Sequence, residues 1–105
     1  MVEKSIIEII KKYLELLKDE GVIIDRAFLY GSYAKNQFNS ESDIDLMLVS
    51  GVIDSSNDNI IGKIWALTQK VNSRIEPFLV SADNFYNDDV SPIIQLVRDE
   101  GIEIA

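Results

Sequence analysis

The chain has 105 residues, with 10 Lys and Arg against 18 Asp and Glu, and therefore a formal charge of -8 at pH 7. It contains no His and no Cys, which excludes Ser-His-Asp and Cys-His nucleophile systems, thiolate chemistry and ordinary zinc sites. Proton transfer and metal binding must then rest on carboxylates, which favour hard cations such as Mg²⁺, Mn²⁺ and Ca²⁺. The negative charge argues against a nucleic-acid groove, because it repels phosphate backbones.

The length predicts a single domain over residues 1–105, large enough to form a core without disulfides or a structural metal. The first twenty residues mix Lys and Glu with apolar residues and lack the pattern of a signal peptide. No apolar run approaches the roughly 20 residues that a membrane-spanning helix needs. We therefore expect a cytoplasmic protein without a membrane segment.

The first third of the chain predicts a helix followed by a strand. Apolar residues recur at helical spacing over residues 3–20, and Gly21 is suited to end that helix. The apolar face covers about half of the circumference, wider than the stripe of an ordinary surface helix. Either this face packs deeply against a sheet or another subunit covers part of it. Residues 22–30 are then predicted as a strand that runs into Gly31.

The rest of the chain alternates strands and helices. Residues 32–42 form a connection with a short helical turn at 33–35, and residues 51–58 form a surface loop. The other predicted elements are a strand at 43–50, a helix from Asp58 or Asn59 to about Asn72, a strand at 74–81, and a helix from Ser91-Pro92 to Gly101. A short Ile-Glu-Ile tail could add a last strand. This order predicts an α/β (α+β) fold, a small mixed β-sheet packed with helices.

Two aspartates stand at the head of the second strand. Because Asp43 and Asp45 are two residues apart, they project from the same face. Their Cα atoms would be roughly 6.6 Å apart, so their carboxylates can converge on two cations about 3.5–4 Å apart. Without a cation these like charges repel each other. The alternative is that Asp43 only ends the loop and Asp45 faces solvent at the rim of the sheet.

The turn before the aspartates carries Gly31 and Ser32. Glycine lets a phosphate approach the backbone closely, and freed N–H groups and the serine hydroxyl can donate to its oxygens. An ordinary strand-to-helix turn would look the same. The segment from Ser32 to Lys35 also has the Ser-x-x-Lys pattern of penicillin-binding acyl enzymes, but their Ser-Asp-Asn and Lys-Thr-Gly companions do not occur in the chain. The pairing of Gly31-Ser32 with Asp43-x-Asp45 is much rarer by chance than either part.

The segment from Gly31-Ser32 through ten further residues to Asp43-Ile44-Asp45-Leu46 resembles the signature of the minimal nucleotidyltransferase (MNT) family of the DNA polymerase β superfamily. The predicted elements also occur in the same order as in that family. The resemblance covers most of the chain. One departure is Asn36, where the family usually has glycine. Asparagine is the next most tolerant residue for a positive φ, so we expect the turn to survive.

The superfamily has a third acid on the next strand, and Glu76 matches that position. An acid within an apolar strand is costly to bury unless it has a partner, which a metal would supply. The following residue, Pro77, donates no hydrogen bond, so we expect this strand to lie at a sheet edge or to carry a bulge. The alternative is an exposed edge glutamate paired with Arg74.

The resemblance implies transfer of AMP from ATP to an acceptor hydroxyl, with pyrophosphate leaving. It implies that three acids are catalytic and hold two Mg²⁺ ions, namely Asp43, Asp45 and Glu76. It implies that the nucleotide is bound by Gly31, Ser32 and Lys35. Further candidates for phosphate contacts are Lys63, Lys70 and Arg74.

The resemblance to the MNT family also suggests what the acceptor is. MNT proteins are commonly encoded beside a small helical HEPN protein, typically a ribonuclease toxin, and several act as antitoxins that AMPylate a tyrosine on it. The resemblance therefore implies a HEPN-type partner, which the broad apolar face of residues 3–20 could contact, and that face would equally allow a homo-oligomer. The alternative function is a non-catalytic binding module that neutralises its partner by forming a complex.

Overall fold

The computed structural model describes residues 3–35, 42–53 and 56–105, so Asn36 lies outside the described residues. The elements are α1 (Lys4–Asp19), β1 (Arg26–Tyr30), β2 (Ile44–Ser50), α2 (Asp58–Thr68), β3 (Ile75–Ser81), α3 (Ala82–Asn87), α4 (Pro92–Glu100) and β4 (Ile102–Glu103). The strands form one sheet in the order β3-β2-β1-β4. β1 is antiparallel to β2 and to β4, whereas β2 and β3 are parallel. A small mixed sheet with helices is the fold class that the sequence predicts.

Side-chain alternation gives the sheet two packed faces. Along β2, Ile44, Leu46 and Leu48 belong to one apolar cluster, with α1 and α2, whereas Met47 and Val49 belong to another, with α3 and α4. Because neighbouring residues of a strand point to opposite faces, a strand covered on both sides must be apolar at nearly every position. This explains why β2 is the most hydrophobic strand of the chain.

The wide apolar face of α1 is buried along its centre. The buried residues are Ile6, Ile10, Tyr13 and Leu17. The Tyr13 hydroxyl donates to the carbonyl oxygen of Ile64 at 2.6 Å, which joins α1 to α2 inside the protein. The flanking residues Ile9, Leu14 and Leu16 are only partly buried. Packing against the sheet therefore accounts for the centre of the predicted face.

Several element boundaries differ from the predicted ones. β1 begins at Arg26 instead of residue 22, because the backbone N–H of Val22 donates to the Leu17 carbonyl at 2.9 Å and completes the end of α1. α2 is capped by the side chain of Asn57, which accepts from the N–H of Ile60. It ends at Thr68 instead of Asn72, because the next residues form a tighter turn.

The short helix α3 is absent from the predicted element order. Ser81 caps it by accepting from the N–H of Asn84 at 3.1 Å, and Asp83 lies in its first turn. Phe85 stacks on Phe28 with ring centroids 4.9 Å apart, which fixes the helix on the sheet. A serine cap followed by an acid was the available sequence signal.

The last third of the chain otherwise follows the prediction. Ser91 caps α4 and Pro92 occupies its first turn. Gly101 ends it, and the tail adds β4 beside β1. β3 lies at the edge of the sheet, as Pro77 predicted. In the described parts of the chain, no helix has both the length and the apolar character needed to cross a membrane.

Candidate active site

Strand register brings the acids from β2 and β3 together. Asp45 on β2 is paired with Tyr30 on β1 and with Glu76 on β3. These side chains share the face that α3 and α4 cover, because Asp45 alternates with the neighbouring core residues of β2. The Glu76 carboxyl lies within side-chain interaction range of the carboxyls of both Asp45 and Asp43. Residues 31 positions apart in the chain thus meet at one end of one sheet face.

The pKa values of Asp45 and Glu76 are both raised. Burial raises the pKa of Asp45, and the charge of Asp43 adds to this, while the hydrogen bond from Glu76 opposes it. Glu76 is an exposed residue, but partial desolvation raises its pKa, and the charges of Asp43 and Asp45 raise it further.

The acids have the right chemistry for a divalent cation but not a finished geometry. Within residues 3–35, 42–53 and 56–105, no set of three or more acidic side chains has the arrangement of a metal site. The donors are nevertheless carboxylate oxygens only, which Mg²⁺ and Mn²⁺ prefer. Without a cation the charges of these carboxyls repel one another, and a cation would offset that repulsion. The roles of Asp43, Asp45 and Glu76 as ligands stay a prediction.

Gly31 lies directly against Asp45. Its φ of 73° is in the left-handed region that favours glycine. A Cβ atom added at Gly31 would overlap Oδ2 of Asp45 and lie 3.2 Å from its Cγ. The backbone conformation therefore favours glycine here, and a side chain would have to displace the Asp45 carboxyl. The Gly-Ser turn is in this way held beside the acids.

The residues after Gly31 form the predicted single helical turn. The N–H of Lys35 donates to the carbonyl of Gly31 at 3.1 Å, and Ser32 between them is partly buried. The Lys35 ammonium lies 3.9 Å from a carboxylate oxygen of Glu100, and both side chains are about half exposed. Such an exposed ion pair is weak. Binding of nucleotide by Gly31, Ser32 and Lys35 stays a prediction.

Tyr30 is a neighbour of the acids that the sequence motif did not single out. Burial and the charges of Asp45 and Glu76 raise the pKa of Tyr30 to about 12. Its hydroxyl therefore remains protonated and can act as a hydrogen-bond donor beside the carboxyls. The available signal was its place directly before Gly31, at the end of an apolar strand.

Comparison with known proteins identifies the family. A family described as a nucleotidyltransferase domain matches residues 10–100. The chain belongs to this nucleotidyltransferase family. The matched range includes the Gly31-Ser32 turn and all three acids of the nucleotidyltransferase, so the match covers the site and its supporting sheet.

A curated relative is known from Methanocaldococcus jannaschii. This protein, MJ0141, is provisionally named a protein adenylyltransferase, and its sequence is 42% identical to that of our chain over 49 residues. The match covers 43% of our chain and 46% of the relative. The nucleotidyltransferase thus matches about half of the length of that relative.

Several solved structures share the fold of our chain. A provisionally named nucleotidyltransferase from Sulfolobus solfataricus has a TM-score of 0.65 and 12% identity, covering 94% of our chain and 78% of its own. A mutant toxin-antitoxin MntA-HpeT structure has a TM-score of 0.61 and 20% identity, and a toxin-antitoxin structure with AMP-PNP has 0.56 and 21%. Both cover 90% of our chain and 71% of theirs. The predicted resemblance to the MNT family is confirmed.

Arg74 forms hydrogen bonds with residues on both sides of the segment that joins the Gly-Ser turn to Asp43. Its Nε donates to the carbonyl of Ser42 at 3.0 Å, and its Nη2 donates to the hydroxyl of Tyr33. The Arg74 carbonyl accepts from the N–H of Ile44 at 2.8 Å. These contacts tie β3 to both ends of the connection between the Gly-Ser turn and Asp43. They replace the pairing with Glu76 that was the alternative expectation.

The two lysines predicted to contact phosphate have side chains that lie beside α1. Lys63 donates to the carbonyl of Glu20 at 2.8 Å, at the C-terminal end of α1. Lys70 lines a cleft of about 310 Å³ with Lys12 and Leu16. These contacts place both side chains beside α1, and a phosphate role for either lysine stays a prediction.

A second cleft lies far from the motif. It has a volume of about 610 Å³ and lies between the C-terminal half of α1 and residues 22–24. These residues precede Arg26, which pairs with Val49 at the end of the sheet away from Asp45. Its lining is mainly apolar around Leu14, Val22 and Ile23. Metal-assisted phosphoryl transfer uses carboxylate ligands, so the acids, and not this larger cleft, are the candidate active site.

Proposed function

We propose that this nucleotidyltransferase moves AMP from ATP to a hydroxyl of a protein acceptor, a tyrosine on a HEPN-type helical partner, and so acts as a cytoplasmic antitoxin. The observation that carries this proposal is the convergence of Glu76 with Asp43 and Asp45 beside the Gly31-Ser32 turn. Three carboxylates and a glycine turn are the groups that metal-assisted nucleotidyl transfer needs.

Each residue has a role in the proposed reaction. Asp43, Asp45 and Glu76 would hold two Mg²⁺ ions, which supply charge neutralisation and activation of the acceptor hydroxyl. The N–H groups of the turn and the Ser32 hydroxyl would bind the β- and γ-phosphates. The acceptor oxygen bonds to the α-phosphorus, the bond from that phosphorus to the β-phosphate oxygen breaks, and pyrophosphate leaves. The acceptor's proton passes to the Glu76 carboxylate.

The relatives support the identity of the nucleotide and the acceptor. The M. jannaschii relative carries the name of a protein adenylyltransferase, and one of the similar toxin-antitoxin structures contains AMP-PNP. These names favour ATP as donor and a protein as acceptor for this chain. They also favour a toxin as the partner of the complex.

Labelled ATP tests the proposed transfer. The purified chain is incubated with [α-³²P]ATP, MgCl₂ and the protein encoded by the neighbouring gene. We expect label on a tyrosine of that protein, and we expect EDTA and the Asp45→Asn variant each to abolish it. Asp99→Asn, a change at an exposed residue of α4, is the matched control and should keep full activity. A folded partner that takes up no label would contradict the proposal.

A second candidate function is a non-catalytic module that neutralises its partner by binding. It is favoured by the lack of a finished metal-site geometry among the described residues. A calorimetric titration with ATP and Mg²⁺ separates the two functions. A catalytic site should bind ATP only when Mg²⁺ is present, whereas a site that has lost its activity should show no metal-dependent binding of ATP.

A further inference from the structure

One exposed aromatic residue shares the face of the acids. Phe78 follows Glu76 by two residues on β3, so both project from the same side of the sheet. Phe78 is 42% exposed, whereas its register partner Met47 is fully buried under the helices. The cover on this face therefore stops short of Phe78, and its ring lies in the open beside Glu76.

The strand order places the Gly-Ser turn, Asp45 and Glu76 side by side across the sheet. The Gly31-Ser32 turn lies on the β1 side of Asp45, and Glu76 lies on its β3 side, at the sheet edge. In phosphoryl transfer the attacking and leaving oxygens lie roughly in line on opposite sides of phosphorus. If the triphosphate tail lies on the β1 side, the acceptor oxygen must arrive from the β3 side. Phe78 lies along that approach.

The edge strand does not favour an acceptor that adds as a further strand. The Arg74 carbonyl bonds to β2, so even-numbered residues of β3 direct their backbone groups inward and odd-numbered residues direct theirs to the edge. Pro77 is therefore an edge-facing position without an N–H donor. A side-chain contact with Phe78 remains the natural means of holding the acceptor.

The local charges limit the chemistry of the acceptor. Asp43 and Glu76 disfavour an acidic segment, whereas an aromatic ring favours an apolar or aromatic one. We propose that Phe78 is a specificity-determining residue that holds the ring of an acceptor tyrosine while its hydroxyl reaches the acids. This inference rests on the proposed function and adds the residue that selects a phenolic over an aliphatic hydroxyl.

Peptide acceptors test this assignment. The probes are two synthetic peptides that differ only in a central tyrosine or serine, used with [α-³²P]ATP and Mg²⁺. Phe78→Ala should raise the KM for the tyrosine peptide roughly 3- to 10-fold, the range of an aromatic pair contact, and should leave the Kd of ATP within about 2-fold. Phe78→Tyr should retain the wild-type KM. Trp65→Ala, which removes an aromatic that is 46% exposed on α2 over the other face, is the matched control and should change neither value.

The outcomes separate this inference from the proposed function. An unchanged KM in Phe78→Ala, or a loss confined to ATP affinity, would overturn the assignment while leaving the transfer reaction intact. Failure of the wild-type chain to label either peptide, despite binding ATP and Mg²⁺, would overturn the inference together with transfer to a free tyrosine. If Phe78→Ala does not fold, Phe78→Leu keeps most of the side-chain volume and should show the same rise in KM.

Discussion

At the scale of single residues, Gly31 shows how one position serves both fold and site. Its positive φ ends β1 in a turn, and its missing side chain leaves room for the Asp45 carboxyl. The sequence predicted a glycine that admits a phosphate. The contact with Asp45 was not predictable, because it depends on how β1 and β2 pair.

Gly31→Ala tests the double requirement, and Gly21→Ala is its matched control. Both residues have positive φ, at 73° and 83°, but nothing lies within 4 Å of a Cβ at Gly21. Each change should cost about 1–2 kcal/mol of unfolding free energy from backbone strain. Only Gly31→Ala should also displace Asp45 and abolish Mg²⁺-dependent ATP binding, measured by calorimetry. Equal binding by both variants would contradict this.

Asp45→Asn tests the repulsion among the acids without metal. The folded-state pKa of Asp45 and of Glu76 is raised, so the unfolded chain releases these protons first as pH rises. Their contribution to stability is complete below about pH 4 and is lost as pH rises through the folded-state pKa. In EDTA the variant should therefore gain Tm relative to wild type as pH rises from 4 to 7, by roughly 2–5 °C.

Added Mg²⁺ should reverse that difference, because the cation stabilises the wild-type carboxylates and not the amide. Thermal unfolding at each pH measures both effects. A large loss of Tm in Asp45→Asn at every pH would mean that Asp45 is a structural residue.

At the scale of elements, buried polar contacts fix how the helices sit on the sheet. The hydrogen bond from Tyr13 to Ile64 joins α1 to α2 across 51 residues of sequence. Burial raises the pKa of Tyr13, so its hydroxyl remains a donor. Helical periodicity placed Tyr13 on the apolar face, but a sequence pattern does not reveal which carbonyl a hydroxyl will meet.

Tyr13→Phe should lower the unfolding free energy by about 1–2 kcal/mol, because it removes a buried hydrogen bond and keeps the ring. Tyr86→Phe is the control. The hydroxyl of Tyr86 accepts from Arg26 at an exposed position, where loss of a hydrogen bond should cost less than about 0.5 kcal/mol. Urea unfolding of the two variants compares these costs. A larger loss in Tyr86→Phe would contradict the assignment.

At the scale of the whole molecule, an excess of eight negative charges surrounds a site built from acids. Self-repulsion weakens the compact state, and a divalent cation relieves it more where three carboxyls meet than on the surface. Net charge is readable from composition. The place where that charge is concentrated is a property of the fold.

Mg²⁺ at about ten times its Kd should add about 1.4 kcal/mol of stability and raise the Tm by roughly 4–8 °C. NaCl at equal ionic strength should raise it less, because screening acts on all surface charges alike. Asp43→Asn should abolish the difference between the two salts. An equal response to NaCl and MgCl₂ in the wild type would argue against a specific cation site.

The sequence alone determined the order of most elements, the capping of α4, the edge position of β3 and the family motif, because each depends on residues close together in the chain. Tertiary structure decided what lies across the sheet. Examples are Glu76 beside Asp45, Gly31 against the same carboxyl, and Arg74 on Tyr33 and Ser42. Burial of two apolar faces sets the register of β2 with its neighbours, and that register brings distant acids into contact.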